Sequence, residues 1–185
     1  MTSRDERLHL RRLEARERDT LMERMERAGR QTHSMKRLRL GSVYIAEVGR
    51  SIAGWGGFDF QSNRRYPEFF SLFVYPEFRG QGIALALELV RYREAQAQGA
   101  RHAYIRVGSE VSPGLTRKRL ESGCFRFVEV DGSFSELCSD CPQNGSSCAT
   151  QQFMVIDVEK RAAQIVSGGQ RLPPPPTVPG GVTAG

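Results

Sequence analysis

The chain has 185 residues, 39% hydrophobic and 26% charged, with a formal net charge of +6 and a pI near 9.5. That balance suits a globular domain with a sizeable core and excludes collagen-like, low-complexity and wholly disordered chains. There is no run of about 18 apolar residues, and the N-terminal "MTSRDERLHLRRLEARERD" lacks the apolar stretch of a secretory signal, so a cytoplasmic protein without membrane spans is expected.

Leu8–Leu13 alternates apolar and polar residues, as a half-buried strand does. Glu14–Ala28 sets Leu21, Met22 and Met25 on one helical face among charges, and Gln31–Leu40 is ambiguous, a short second helix being one reading. "SVYIAEVG" and "SIAGWGGFDF" are β-rich and meet at Gly49-Arg50, which predicts a hairpin. Glu68–Pro76 is almost entirely apolar and is expected at the centre of the sheet. After Gly80 and Gly82 a helix runs to about Gln98. Ile83, Leu87 and Val90 lie on one face and Leu85, Leu89 and Tyr92 on the next, and Gly99 closes the helix. His102–Val107 is the following strand, reached by a right-handed parallel crossover. Ser112–Ser122 forms a short helix with Ser112 as N-cap and Pro113 at its first position. "CFRFVEVDG" and "QQFMVIDVEK" are the last strands, on either side of a cysteine-bearing insert at 133–150. Residues 1–166 thus form one domain. From Ser167 the Pro/Gly-rich end is expected to be disordered, since it cannot build a core. The fold class is α/β: a mixed, mostly antiparallel central sheet with one parallel crossover and flanking helices.

Residues 1–40 hold 12 Lys/Arg against 7 Asp/Glu, a net +5. The acids are interleaved and no regular aromatics accompany the basic residues, so the segment reads as a solvated helix face. A nucleic-acid surface is the weaker reading.

Two glycines at the mouth of an Ala/Leu-rich helix call for a reason, because glycine disfavours helix by about 1 kcal/mol relative to alanine. A helix N-terminus exposes unpaired amides and a partial positive charge, and a backbone free of Cβ lets a phosphate reach them. Arg79 adds a cation suited to phosphate oxygens. Neither familiar phosphate loop fits: GxxxxGK[ST] is absent, and in GxGxxG the third glycine is replaced by Leu85.

The stretch "VYPEFRGQGIALAL" does resemble the (Q/R)xxGx(G/A) acyl-CoA signature of the GNAT N-acyltransferases, filled by Arg79, Gly82 and Ala84. "RLESGCFRFVEV" is similar to that family's "LYEKLGFRFVEV" segment, and the element order from Leu8 to about Lys160 is similar too. The resemblance implies a GNAT-like fold, acetyl-CoA as cosubstrate and transfer of an acetyl group to an unidentified amine. It implies that the amides around Arg79, Gly80, Gln81, Gly82, Ile83, Ala84 and Leu85 cradle the pyrophosphate, with the pantetheine arm paired along Leu72, Phe73 and Val74. An amide near Val74 would polarise the thioester carbonyl. Glu68, at the start of that strand, stands where some members carry a base, although a solvent-facing strand-end carboxylate fits the sequence as well. The family's proton-donating tyrosine aligns with Leu120 and its glycine with Cys124, so Ser109, Ser112 or solvent would have to protonate the thiolate. A catalytically silent acyl-CoA-binding module and a basic nucleic-acid- or ribosome-associated protein are the alternatives. A homodimer is left open.

Cys124, Cys138, Cys141 and Cys148 lie within 25 residues, and CxxC is a common zinc half-site. Zinc held by these four, reduced thiols and a disulfide all remain open at this level. Trp55, Phe58, Phe60, Phe69, Phe70 and Phe73 read as core, with those facing the slot lining an acceptor pocket.

Overall fold

The computed structural model describes residues 7–27, 41–60, 66–107, 113–128 and 152–168. Within them run β1 (Leu8–Arg12), a 3-10 turn (Ala15–Glu17), α1 (Arg18–Arg27), β2 (Ser42–Val48), β3 (Ser51–Asp59) and β4 (Glu68–Val74). A second 3-10 turn (Pro76–Phe78) is followed by α2 (Ile83–Ala97), β5 (His102–Val107), α3 (Pro113–Glu121), β6 (Phe125–Val128), β7 (Gln152–Asp157) and α4 (Val158–Ser167). The ambiguous segment Gln31–Leu40, the cysteine insert and residues 169–185 lie outside the described residues.

The strands form one seven-stranded sheet in the order β1-β2-β3-β4-β5-β7-β6. Only β4 and β5 are parallel; every other neighbouring pair is antiparallel. The apolar strand at Glu68 is thus central, as its composition predicts. The β4–α2–β5 unit is the parallel crossover.

Strand alternation splits the core between two faces. On one, Tyr44, Ala46, Ala53, Phe58, Phe69, Ala103, Ile105, Met154 and Ile156 pack with Ile83, Leu87 and Tyr92 of α2 and Val158, Ala162 and Ile165 of α4. On the other, Leu21, Met22 and Met25 of α1 cover Val43, Ile45, Trp55 and Phe70. Leu87 is fully buried, and a leucine so placed contributes about 1.5–3 kcal/mol.

Helix α2 ends where Gly99 takes φ +87°, with Ala100 N–H bonded to Ala95 O and Gly99 N–H to Gln96 O. Those two bonds satisfy carbonyls that the helix end would otherwise orphan. The C-terminal helix corrects the sequence reading, which extended the last strand to Lys160. Asp157 ends the strand and caps α4, its carboxylate accepting from Lys160 N–H at 2.9 Å. Val158, Ala162 and Ile165 then recur at helical spacing and are buried. Helix α4 is also pinned to α2 by an ion pair, Arg161–Glu88 at 3.1 Å, with side chains 20% and 9% exposed.

Candidate functional site

The glycine-rich turn joins the end of β4 to α2. Gly80 and Gly82 have φ +76° and +78°, the left-handed region in which an L-side chain is strained. A Cβ on Gly80 would meet nothing within 4 Å, so conformation alone demands glycine there. Gly82 is the N-cap of α2, and no side chain caps it. The first α-helical bond runs from Ala86 N–H to Gly82 O at 3.0 Å. The amides of Ile83, Ala84 and Leu85 therefore stand ahead of it, and no acid occupies the first turn to compete for them. Arg79 is anchored at the same corner, its Nε donating to Val74 O at 3.1 Å.

Beside this turn the sheet forks. β4 and β5 share one register pair, Glu68 with Tyr104, where Tyr104 N–H also donates to Pro67 O at 3.0 Å. Beyond it β4 continues against β3 alone and β5 against β7. Tyr75 N–H donates to Ala53 O on β3, so the backbone groups of Val74 turn the other way, toward the fork. Arg79 reaching Val74 O agrees with that direction. The fork therefore presents a strand edge at Leu72–Val74 next to the free amides of α2.

That edge is bent by a feature absent from the sequence reading. Gly57 pairs with Phe70 and Trp55 with Phe73, so Ser71 and Leu72 together oppose Gly56. Ser71 has φ +51°, the sole positive φ among the described non-glycine residues. This is a β-bulge, and it re-aims the strand at the centre of the slot. Arg91 of α2 lies against it, 3% exposed, with burial pulling its guanidinium below the usual arginine range.

Glu68 is 1% exposed, which corrects the reading of it as a solvent-facing carboxylate. Tyr104, fully buried, donates its hydroxyl to Glu68 Oε2 at 2.8 Å. The pair sits where the fork begins, on the sheet face opposite α2, with Asp59 directly across on β3. Tyr104 was missed because a tyrosine in an apolar strand reads as packing; only the parallel register brings it to Glu68.

The segment aligned with the proton-donating tyrosine places Leu120 at 37% exposure near the end of α3. The glycine that closes α3 is Gly123, with φ +67°, one position before Cys124. Counted back from Gly123, the tyrosine position falls on Arg119, whose guanidinium lies 5.6 Å from the centre of the Phe125 ring. Neither register supplies a phenol. Ser109 and Ser112 lie outside the described residues.

The zinc expectation finds no support. Cys124 is 3% exposed and belongs to the main core, Cys138, Cys141 and Cys148 lie outside the described residues, and no cluster of three or more His, Cys, Asp or Glu occurs among the described residues. No helix among the described residues is long and apolar enough to cross a membrane.

Residues 8–115, more than half of the chain, match the model of the acetyltransferase (GNAT) family. Among solved structures, the fold is similar to PaiA N-acetyltransferase from Thermoplasma acidophilum in complex with coenzyme A. That likeness has a TM-score of 0.54 and 15% identity, and covers 82% of this chain and 99% of that one. A Bacillus subtilis acetyltransferase in complex with CoA gives 0.51 and 18% over 82% and 99%. N-acetylglutamate synthase from Neisseria gonorrhoeae, complexed with coenzyme A and N-acetyl-glutamate, gives 0.59 and 13%, over 84% of this chain and 36% of that one. No curated protein sequence matches.

Proposed function

Since the chain belongs to the acetyltransferase (GNAT) family, we propose that it is an N-acyltransferase carrying an acetyl group from acetyl-CoA to an amine. One observation carries the reading: the uncapped amides of Ile83–Leu85 open beside the edge of β4 at Leu72–Val74, where β4 and β5 have diverged. The first suits a pyrophosphate and the second an extended amide-bearing arm, and coenzyme A joins those two chemistries in one molecule. Several structural neighbours hold CoA, which supports the same ligand here.

In this reading the amides around Gly80–Leu85 and the guanidinium of Arg79 hold the diphosphate, and the edge at Leu72–Val74 pairs with pantetheine. The thioester then lies at the fork. A backbone N–H of the bulged edge, near Val74, polarises its carbonyl. The lone pair of a neutral amine attacks the carbonyl carbon, the C–S bond breaks, and the sulfur leaves with its electrons as thiolate. Glu68, at the root of the fork, takes the ammonium proton released as the amide forms. Tyr104 fixes the carboxylate for that role. The thiolate is protonated by solvent or by Ser109 or Ser112.

The absence of a phenol at Leu120 or Arg119 favours a second reading, a module that binds acyl-CoA without turning it over. One experiment addresses both. CoA and acetyl-CoA are titrated calorimetrically into the full chain, and a panel of polyamines, amino acids, aminoglycosides and peptides is then assayed for release of free CoA thiol. Binding with amine-dependent thiol release supports the transferase. Binding with no release across the panel supports the silent module, and no binding refutes both.

A further inference from the structure

The bulge in β4 lies under a buried cation that the phosphate-binding turn does not use. Arg91 stands on the third turn of α2, and its Nη1 donates to Gly57 O at 3.2 Å and, at the longer distance of 3.4 Å, to Phe70 O. Gly57 and Phe70 are the last regular pair before the bulge. Its Nε returns to Leu87 O at 3.2 Å, and its Cζ lies 5.2 Å from the centre of the Phe69 ring. Gly56, the residue opposite the bulge, makes room: a Cβ there would come within 3.2–3.3 Å of Arg91 Nε and Cζ and of Leu72 Cδ1. Burying a charge is unfavourable, and an aliphatic side chain would fill the space without that penalty. What an aliphatic group cannot do is supply donors where a bulge breaks the ladder. Glu88, the acid that attracts Arg91 through space, is bonded to Arg161.

We propose that Arg91 is a positioning residue that ties the phosphate-binding helix to the bulged edge of β4, fixing the distance and angle between the two halves of the donor site. The inference rests on the acyl-CoA reading above. The nucleotide end of the ligand meets only α2 and its turn, whereas the pantetheine arm must also meet Leu72–Val74. Loosening the tie therefore weakens the whole cofactor and spares its nucleotide half. A residue that merely supported the fold would affect both alike.

The test titrates full-length wild type, Arg91→Met, Arg91→Lys and Gly56→Ala with CoA and, separately, with its nucleotide half, adenosine 3′-phosphate 5′-diphosphate. Far-UV circular dichroism first establishes that each variant is folded. Arg91→Met is expected to lose at least tenfold in CoA affinity while staying within twofold for the nucleotide, and Arg91→Lys to recover part of the loss. If Arg91→Met does not fold, Gly56→Ala carries the test, because its Cβ crowds the guanidinium and Leu72 and the same selective loss is expected. Parallel weakening of both ligands in a folded variant, or unchanged CoA affinity, overturns the proposal. Failure of wild type to bind CoA at all refutes the acyl-CoA reading instead.

Discussion

Gly80→Ala and Gly82→Ala form a matched pair. Both glycines sit at almost the same φ, +76° and +78°, so alanine brings a similar backbone penalty at each, about 1–2 kcal/mol. For a domain of this size 1 kcal/mol shifts Tm by about 2–4 °C, so each unliganded variant should melt about 2–8 °C below wild type. Their effects on the ligand should differ. Gly80 faces open space, whereas Gly82 immediately precedes the free amides of α2. A hydrogen bond from one of those amides to a charged phosphate contributes about 1.5–3 kcal/mol, so losing one lowers affinity by about 10- to 150-fold. Calorimetric titration with CoA should show that loss for Gly82→Ala and less than a threefold change for Gly80→Ala. Equal losses in both variants would attribute the effect to backbone strain, and no loss in either would remove the phosphate from this helix end.

Tyr104→Phe deletes the hydroxyl bonded to Glu68, and Glu68→Gln the proposed proton acceptor itself. With an amine identified, steady-state kinetics should show kcat lower by about 10²–10⁴ for Glu68→Gln and by at least tenfold for Tyr104→Phe, at nearly constant KM for acetyl-CoA; unchanged kcat in both would exclude Glu68 as the base. Glu88→Leu strands the Arg161 cation, whose buried Nε already has no hydrogen-bond partner, and should destabilise the fold by about 3 kcal/mol in urea melts. The double variant Glu88→Leu/Arg161→Leu should recover most of that, and additive losses would show that the two residues do not act as a pair. Glu17 is held near pKa 2 by the Arg11 side chain bonded to it, against an ordinary value of 4.5. The stability it contributes, roughly 1 kcal/mol, is present above pH 4.5 and fades as pH falls toward 2. Glu17→Gln should therefore flatten the acid limb of the Tm-against-pH curve over that window, and a parallel curve would refute the assignment.

The strands and the glycine turn before α2 were legible because their signals are local. Period-2 alternation marked β1, β-rich stretches joined at Gly49-Arg50 marked β2 and β3, the apolar run marked β4, and Gly80, Gly82 and Gly99 sit where only glycine is comfortable. Helix α4 was equally local, with Asp157 capping and Val158, Ala162 and Ile165 at helical spacing, but the apolar run of β7 was carried past its end. The bulge was not legible. Ser71 has no composition that announces a positive φ; it lies where the pairing of β4 with β3 gains an extra residue opposite Gly56. The Glu68–Tyr104 bond was hidden for a similar reason, since the two residues are 36 apart and meet only through the parallel register.

The position of β7 bears on how the chain matures. β7 lies between β5 and β6, yet it is the last of the described strands to be made. Until it emerges β6 has no partner strand among the described residues, and within the sheet β5 meets its earlier neighbours at the Glu68–Tyr104 pair and Pro67. Such long-range pairing is slow and comes late. During synthesis the glycine turn can therefore fold with β1–β4 while the second arm of the fork is still loose. Residues 8–115, which match the family model, contain both arms but not the strand that holds the second one rigid. A nascent chain thus completes both arms of the fork only when almost all of its described residues have left the ribosome.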